Sequence, residues 1–321
     1  MVYYTKNSLT EVTVAQSAIA GGVAGSVTRA IAQPLDVLKI RLQLQLEPIR
    51  KGSKYSSLLQ TVSSIVKEEG IATLWSGHVP AQLLSISFGA VQFSAYESLT
   101  QSCQEIDLQF YSNNKHWLNF SNGAVAASFA TIISYPFDTI RTRLIAEQKT
   151  NKVYKGFIDA LLSMIRHEGP SSLFKGIVPT VAQIAPNAGI QFFIYKLFIE
   201  NLSRLSFFQR SKNIGSVIET SVVANVIAGS MAGLVSKTCV YPFDVIKKRL
   251  QIQGFQQHRK TFGRQMYCRG TLHCFMLTIN KEGFFALYKG YGPSLLKAVI
   301  VSALHFTVYD EIKHIILNMY K

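Results

Sequence analysis

The chain has 321 residues, of which 48% are hydrophobic and only 16% are charged, with a formal net charge of +15. Average soluble proteins have about a quarter charged residues, and the mean hydropathy of +0.18 is high for such a protein. Nucleic-acid-binding modules place basic clusters on a polar chain, and the sequence contains no such module. The composition therefore excludes a nucleic-acid partner and favours a membrane protein that handles anions.

The first residues, MVYYTKNSLT, predict no cleavable signal, because they lack a basic segment followed by an apolar core and lack the Arg-rich pattern of a transit peptide. Any organelle address is therefore expected inside the chain. The four cysteines, Cys103, Cys239, Cys268 and Cys274, include no CxxC pair, and we expect free thiols in a reducing compartment. Their spacing from His273 fits no standard zinc pattern, so no metal site is predicted.

In chain order, the first element is an apolar segment rich in small residues, AIAGGVAGSVTRAIAQ, followed by QPLDVLKIRLQ from Gln33. After a polar loop, YSSLLQTVSSIVKEEG from Tyr55 has the spacing of a short amphipathic helix. EGIATLWSG from Glu69 leads into a second long apolar segment, HVPAQLLSISFGAVQFSAYESL from His78. This order predicts a long helix, a short helix and a second long helix.

The same order of elements recurs twice along the chain. YPFDTIRTRLI from Tyr135 and YPFDVIKKRLQ from Tyr241 repeat the first motif, and EGPSSLFKG and EGFFALYKG repeat the second. Their prolines are about a hundred residues apart and are expected to kink the helices: Pro34, Pro136 and Pro242. The pattern predicts three repeats, which we place at 12–105, 116–205 and 220–318.

Each repeat has two apolar segments long enough to cross a bilayer as helices. The predicted fold is therefore an all-α integral membrane protein, in which six transmembrane helices in three pseudosymmetric repeats form a barrel. Short helices are expected between the paired spans, and both termini on one side. The Gly21-x-x-x-Gly25 and Gly229-x-x-x-Gly233 spacings, and Gly123 with Ala127, predict close helix packing.

Each proline motif contains charges that cost about 2.5 to 3.5 kcal/mol apiece at the centre of a membrane helix. An acid and a base three residues later share one helix face. Three symmetric helices then predict a closed ring of ion pairs that seals one end of a central cavity and that a ligand can open. Its members are Asp36 and Lys39, Asp138 and Arg141, and Asp244 and Lys247. The bases that follow, Arg41, Arg143 and Arg249, fit snorkelling side chains at the membrane edge better.

The proline, acid and two bases, with the trailing Glu-Gly and aromatic-base-Gly in three repeats, resemble the mitochondrial carrier family. The resemblance covers essentially the whole chain. It implies a multi-pass solute carrier of the mitochondrial inner membrane that alternates between a matrix gate and a cytoplasmic gate. At the matrix gate it implies the pairs Asp36–Arg141, Asp138–Lys247 and Asp244–Lys39. Gln43 and Gln251 match the glutamine braces of the family, whereas Ile145 departs from that pattern.

The cytoplasmic gate motif of the family is an aromatic residue, an acid and, three residues after the acid, a base on the second long helix of each repeat. Tyr309, Asp310 and Lys313 match it fully. The other two repeats depart from it: Tyr96 and Glu97 are followed by Thr100, and Tyr195 is followed by Lys196 and Ile199. We therefore expect a weaker cytoplasmic gate and a lower barrier to the cytoplasm-open state. Ser76 replaces the base of the aromatic-base-Gly motif, which we expect to weaken one lipid contact.

Three bases predict the charge of the solute. Arg29 and Lys237 each lie five residues before a motif proline, and Thr131 holds the matching place in the second repeat. Lys297 lies twelve residues before Tyr309, where the family contacts substrate. No matching acids lie nearby in the sequence, so three unpaired bases in the cavity predict a polyanion. The remaining contact positions are neutral and suit a flat heteroaromatic ring: Leu84, Gln183, Ile184 and Asn187.

Longer stretches narrow the solute class. GHVPAQLLSISFGAVQF from Gly77, AGIQF from Ala188 and SKTCVYPFDVIKKRLQIQGF from Ser236 resemble a branch of the family that transports thiamine pyrophosphate. The resemblance implies import of thiamine diphosphate into the matrix by exchange with nucleotides. The residues alone do not choose thiamine over adenine.

Two other functions stay open at this point: a nucleotide or coenzyme A carrier, and a carrier-like membrane adaptor that does not transport. An enzyme is not expected, because no nucleophile and base, metal cluster or phosphate-binding glycine loop is found in the sequence. No cofactor is expected, and the expected partners are a small anionic solute and membrane lipid. Cardiolipin headgroups suit the helix starts after the aromatic-base-Gly motifs, and we expect a monomer.

Overall fold

The computed structural model describes residues 14–46, 55, 57–106, 114–147, 152–203, 222–254 and 267–319, and those residues contain helices and no strand. The side chains of 14–20, 106, 116, 203, 222–223 and much of the last helix lie outside this description. The helices are α1 Val14–Leu44, α2 Leu58–Glu69, α3 His78–Ile106, α4 Lys115–Ala146, α5 Phe157–Glu168, α6 Ile177–Ala182, α7 Ile184–Ser203, α8 Val222–Gln251, α9 Thr271–Glu282 and α10 Tyr291–Met319.

A short 3-10 turn follows each of the short helices, so the predicted order of elements occurs three times. The turns are Ile71–Trp75, Pro170–Phe174 and Phe284–Tyr288. By length and composition, two helical segments are apolar enough to span a membrane, Pro170–Leu202 and Ala224–Gln251.

The second long segment of the middle repeat is divided, although the sequence predicted one continuous helix. Helix α6 ends at Ala182 and α7 begins at Ile184. Pro186 has no N–H to donate to the carbonyl four residues earlier, which is that of Ala182. The break therefore falls on Gln183, one of the predicted solute contacts.

The motif prolines lie inside α1, α4 and α8, and none of them interrupts its helix. A proline at position 34 leaves the carbonyl oxygen of Ala30 without its helical donor. The indole N–H of Trp75 donates to that oxygen at 2.9 Å. The 3-10 turn of the first repeat thus satisfies a polar group that the proline exposes.

The short helices are amphipathic, and their apolar faces cover the C-terminal parts of α1, α4 and α8. Helix α2 begins at Ser57, whose hydroxyl accepts the backbone N–H of Gln60 at 3.3 Å. Ile65 of α2 packs against Val37 and Leu38 of α1 in one buried cluster. Equivalent clusters lie under α5 and α9. The buried core is therefore divided among the three repeats near the motif prolines.

Long helices of neighbouring repeats lie side by side: α3 against α4, α7 against α8, and α10 against α1. The last helix thus contacts the first. The buried small residues of the long helices include alanines such as Ala24, Ala126 and Ala228. The close packing predicted at the glycine pairs is not found, because no described atom lies within 4 Å of a Cβ placed at Gly229 or Gly233.

The same is true of Gly21, Gly25 and Gly123. These glycines are half-buried, whereas nearby alanines of the same helices are fully buried. The prediction of close helix packing at the glycine pairs was therefore wrong, and the fully buried small residues nearby include alanines.

Two of the cysteines are paired, which corrects the expectation of four free thiols. Cys268 and Cys274 form a disulfide at the start of α9, with their Cα atoms 4.8 Å apart, and both are buried. They lie six positions apart in the sequence, and the chain turns back into α9 over that distance, so the sulfurs meet. Cys103 and Cys239 are free.

Candidate functional site

Three ion pairs join the repeats where α1, α4 and α8 meet. Lys39 pairs with Asp244 at 3.0 Å, Lys247 pairs with Asp138 at 2.9 Å, and Arg141 donates to Asp36. These are the pairings expected from the sequence, and each connects residues of two different repeats. We call the six residues the charged ring. Buried charges of this kind persist when each has a partner of opposite sign.

Two further lysines reach the acids of the charged ring. Lys248 donates to both carboxylate oxygens of Asp138, at 3.0 and 3.1 Å. Lys297 donates to both carboxylate oxygens of Asp36, at 2.6 and 2.8 Å. Within the described residues, Asp36 and Asp138 each hold two cations, whereas Asp244 holds one.

The prediction that Lys297 is unpaired was therefore wrong. It rested on the absence of acids near Lys297 in the sequence, but α10 lies beside α1 in the fold and brings it to Asp36. The role of Lys248 was missed. Its only sequence signal is the doubled lysine of YPFDVIKKRLQ, which has no counterpart in the other two repeats.

The two predicted glutamine braces have different partners. Gln251 donates to Asp138 at 2.8 Å, and its amide oxygen accepts from Thr142 at 2.7 Å and Lys248 at 3.0 Å. Gln43 instead donates to the hydroxyl of Tyr241 at 3.1 Å. Ile145, the departure in the second repeat, is buried in an apolar cluster. Gln251 therefore contacts the charged ring directly, while Gln43 supports it through a tyrosine.

The residues just before the motif prolines tie the charged ring to the start of each second long helix. The hydroxyls of Tyr135 and Tyr241 donate to the carbonyls of Lys175 and Lys289, at 3.1 and 3.0 Å. In the first repeat, the amide of Gln33 donates to the carbonyl of Ser76 at 2.8 Å. The three repeats thus use the same link with different side chains.

A glycine follows each of these carbonyls and lies against the backbone of a charged-ring base. Gly176 and Gly290 have φ of 85° and 78°, and a Cβ added there would lie 2.9 Å from the carbonyl oxygen of Lys247 and 2.8 Å from that of Lys39. Both the left-handed backbone and the close approach require glycine at these positions. The starts of the second long helices therefore pack closely against the backbone of the charged ring.

Arg29 and Lys237, the other predicted solute contacts, bond backbone carbonyls. Arg29 donates to Ala81 at 3.1 Å, and Lys237 donates to Ser294 at 2.7 Å. Neither has a carboxylate within ion-pair distance among the described residues. Their positive charge is therefore available to an anion.

A cavity of about 280 Å³ borders the charged ring, and most of its lining residues belong to the first and second repeats. Arg29 and Leu84, both predicted solute contacts, line it, and Asp138 and Lys247 form part of its wall. The rest of the lining comprises Ser85, Phe88, Thr131, Ser134, Tyr135 and Thr180. The cavity therefore combines two cations, one carboxylate, hydroxyls and two aromatic rings.

The remaining predicted contacts, Gln183, Ile184 and Asn187, lie at the break between α6 and α7 and are half-buried. They do not line the cavity just described. The amide oxygen of Gln183 is enclosed and has no hydrogen-bond partner among the described residues. An enclosed acceptor without a donor is costly unless something else supplies the hydrogen bond.

The second bases of the proline motifs do not snorkel at the membrane edge, which corrects the sequence interpretation. Each is buried and bonds the glutamate that ends the short helix of its own repeat. The Nη2 atoms of Arg41, Arg143 and Arg249 lie 2.8, 2.8 and 2.9 Å from carboxylates of Glu69, Glu168 and Glu282. A planar guanidinium can make two parallel bonds to a carboxylate, which explains arginine here.

The base of the aromatic-base-Gly motif adds a second bond to the same glutamate. Lys175 donates to Glu168 at 3.0 Å and to the carbonyl of Gln253 at 2.8 Å, and Lys289 likewise bonds Glu282 and the carbonyl of Gln45. Burial alone would raise the pKa of Glu168, but its bonds to Arg143 and Lys175 outweigh burial and lower it. Each lysine thereby joins its short helix to the next repeat, and we call this pair of bonds the clasp.

The first repeat lacks this clasp, because Ser76 occupies the position. A cavity of about 160 Å³ lies there, lined in part by Glu69, Ser76 and Glu147. The sequence predicts a weakened lipid contact at Ser76, and this stays a prediction. The matching lysines bond protein groups, so the first repeat also lacks a contact with the second repeat.

At the other end of the long helices, the charges predicted for the cytoplasmic gate lie apart. Glu97 and Lys196 are exposed, and no ion pair involving either occurs among the described residues. The ammonium of Lys196 lies 5.0 Å from the ring centre of Phe192, and the hydroxyl of Tyr195 donates to Asn225 at 3.2 Å. Tyr96 is half-buried. The side chains of Tyr309, Asp310 and Lys313 lie outside the described residues.

Comparison with known proteins agrees with the threefold geometry. A sequence model of the family described as mitochondrial carrier protein matches residues 10–106, 112–206 and 219–320. The chain is 40% identical to a mitochondrial thiamine pyrophosphate carrier of Bos taurus, over 91% of this chain and 90% of the relative. It is 39% identical to that of Homo sapiens, over 92% and 90% of the two chains.

A third relative, mitochondrial thiamine diphosphate carrier 2 of Zea mays, is 36% identical over 92% of each chain. Both the family match and these identities extend over nearly the whole sequence. The chain therefore belongs to the mitochondrial carrier protein family and is a multi-pass transporter of the mitochondrial inner membrane.

Proposed function

We propose that this carrier imports thiamine pyrophosphate (thiamine diphosphate) into the matrix by exchange with nucleotides, through alternating access. The observation that carries the proposal is the group of three bases, Arg29, Lys237 and Lys297, next to the charged ring. The solutes named for the similar proteins select thiamine among polyanions. In this proposal the small molecule that binds is the transported solute and not a cofactor, and transport needs no catalytic residue or metal.

The six long helical regions are proposed to form the transmembrane barrel, two from each of the repeats 12–105, 116–205 and 220–318. In support, long helices of adjacent repeats lie side by side and the last contacts the first, as closure of a barrel requires. We take the protein to act as a monomer, because each repeat finds its neighbour within the same chain.

The charged ring serves as the matrix gate in this proposal. Its pairs are made, and the starts of the second long helices are packed against it, so the matrix side is closed. The described charges at the other end, Glu97 and Lys196, are exposed and unpaired with each other. The conformation therefore suits entry of the solute from the cytoplasmic side, with the weaker cytoplasmic gate open.

The diphosphate is proposed to bind Arg29, Lys237 and Lys297, since phosphate oxygens form strong charge-assisted hydrogen bonds with such bases. Leu84 and Phe88 offer apolar surface in the adjacent cavity for a heteroaromatic ring. Gln183, Ile184 and Asn187 would contact the solute from the second repeat, where the enclosed amide oxygen of Gln183 lacks a donor. The aminopyrimidine of thiamine can supply one.

Membrane lipid is the second proposed partner. A cavity of about 460 Å³ lies between the start of α2 at Ser57 and Leu58 and the start of α10 at Tyr291. Two helix N-termini facing one cavity favour an anionic headgroup, and cardiolipin carries two phosphates.

The experiment is uptake of labelled thiamine diphosphate into liposomes that contain the purified protein. The liposomes are empty or preloaded with unlabelled thiamine diphosphate or a nucleotide. Saturable uptake that preloading stimulates, and that an Arg29→Ala, Lys237→Ala double variant loses, supports the proposal. Exchange of nucleotides or coenzyme A without uptake of thiamine diphosphate would replace the solute. The absence of any anion transport would leave the adaptor function.

A further inference from the structure

We infer that Lys297 couples solute binding to the opening of the charged ring: it holds Asp36 while no solute is bound, and a phosphate of the solute draws it away. This inference rests on the proposed function, because it requires a phosphorylated solute. It assigns one side chain both to the solute and to the gate, where the sequence had assigned Lys297 to the solute alone.

The geometry places Lys297 as a second cation on an acid that already has one. Its ammonium lies 2.6 and 2.8 Å from the two oxygens of Asp36, which also accepts from Arg141. A carboxylate offers about four acceptor positions, so both bases can be bound at once. If Lys297 leaves, Asp36 keeps Arg141, and the remaining pair is weaker but not an isolated buried charge.

The exposed fraction of its side chain shows that a solute can reach Lys297. Its side chain is 30% exposed, whereas that of Asp36 is 7% exposed. Lys297 is therefore the more accessible partner of this pair, and a solute can contact its ammonium while Asp36 stays enclosed. Phosphate oxygens compete well for an ammonium, since both groups are charged and the solute offers several acceptors.

The two neighbouring lysines each have only one of these properties. Lys248 is also the second cation on a ring acid, but its side chain is 9% exposed and it bonds Thr142 and Gln251 as well as Asp138. Lys237 is partly exposed but bonds the carbonyl of Ser294 and no ring acid. Among these three lysines, only Lys297 is both exposed and bound to the charged ring.

This arrangement explains how binding could change the conformation. A ligand shifts an equilibrium only by its different affinity for the two states. The bond from Lys297 to Asp36 stabilises the closed ring, and a solute that takes over Lys297 removes that bond. Closure of the empty carrier and opening of the loaded carrier then depend on the same ammonium, which favours exchange over leak.

The test compares Lys297→Gln with the matched controls Lys237→Gln and Lys248→Gln in proteoliposomes. One readout is the half-saturating concentration of thiamine diphosphate. The other is the leak, measured as efflux of a preloaded nucleotide with no solute outside. Loss of one charged hydrogen bond corresponds to a change of roughly tenfold or more. We expect Lys297→Gln to raise both readouts, Lys237→Gln only the first, and Lys248→Gln only the leak.

A Lys297→Gln variant that raises the half-saturating concentration without a leak would overturn the inference, as would one that leaks with unchanged affinity. Lys297→Arg keeps the charge and should restore both readouts at least in part. Thermal unfolding in detergent shows whether each variant is folded, and Lys297→Met replaces the glutamine variant if that one is not. If the wild-type protein exchanges nucleotides but not thiamine diphosphate, the proposed solute is wrong, and both readouts are repeated with the nucleotide.

Discussion

At the scale of single residues, much of the structure follows from polar groups that need a partner inside an apolar environment. The carbonyl of Ala30, released by Pro34, finds the indole of Trp75. The buried guanidinium of Arg41 finds Glu69, and Asp36 finds two bases. A buried polar group without a hydrogen-bond partner is costly. The repeated sequence motifs therefore contain both the buried polar groups and the side chains that bond them.

The bond between Trp75 and Ala30 gives the first prediction. Trp75→Phe keeps an aromatic ring but removes the donor, so we expect a loss of about 1 kcal/mol of stability and a lower Tm in detergent by a few degrees. Trp117→Phe is the control, because Trp117 is exposed at the start of α4. Equal shifts in the two variants would contradict the assigned hydrogen bond.

At the scale of elements, each short helix is joined to its own repeat by an arginine and to the next repeat by a lysine. Lys175 and Lys289 make the second kind of contact, and Ser76 removes it from the first repeat. The three joints between repeats are therefore unequal, although the helices that meet there are alike.

The missing clasp can be restored. By the threefold symmetry, a lysine at position 76 would reach Glu69 and the carbonyl of Glu147, which already accepts from Arg41 at 3.2 Å. We expect Ser76→Lys to stabilise the protein by about 1 to 2 kcal/mol and to raise its Tm in detergent. Ser76→Met, of similar length but without charge, should not do so. A Tm that rises equally for both would show that filling the cavity, and not the ion pair, is responsible.

The contact of each second long helix with the charged ring depends on glycine. Gly290→Ala would place a Cβ 2.8 Å from the carbonyl of Lys39 in a left-handed conformation, and we expect it to cost about 2 kcal/mol or more. Gly189→Ala is the control, since a Cβ there would have open space. The measurement is thermal unfolding of both variants, and a Gly290→Ala protein as stable as the control would contradict the close contact.

At the scale of the whole molecule, positive charge is concentrated where three repeats meet. Among the described residues, the charged ring and the two lysines bonded to its acids contain five bases and three acids. The bases are Lys39, Arg141, Lys247, Lys248 and Lys297, and the acids are Asp36, Asp138 and Asp244. Arg29 and Lys237 add to this excess from above. An excess of one sign of charge raises the local concentration of the opposite ion, so the electrostatics of this region favour an anionic solute.

The unequal ends of the molecule give the last prediction. Thr100→Lys, Lys196→Glu and Ile199→Lys together complete the cytoplasmic motif, and added pairs at that end should stabilise its closed form. We expect slower exchange and slower labelling of a cysteine placed at Ser85 by a membrane-impermeant reagent from the cytoplasmic side. The same three positions changed to glutamine are the control. Unchanged labelling and exchange would mean that this end does not limit the transport cycle.

The sequence by itself determined the repeats, the order of long and short helices, and the pairing of Asp36, Asp138 and Asp244 with bases of neighbouring repeats. These features follow from motif spacing and from the cost of unpaired charge in a membrane, which are local properties. The sequence could not place Lys297 on Asp36, separate the roles of Gln43 and Gln251, or find the second cation at Asp138, because these contacts differ among the three repeats and no repeated motif marks them.

Tertiary structure also decided which face of each small-residue stripe is buried, and that Lys175 and Lys289 bond protein groups across repeats. The physical reason is the same in each case. Helical periodicity states which residues share a face, but only the packing of one helix against another determines what that face meets. The long-range contacts of this carrier, and the asymmetry among its three similar repeats, arise at that level.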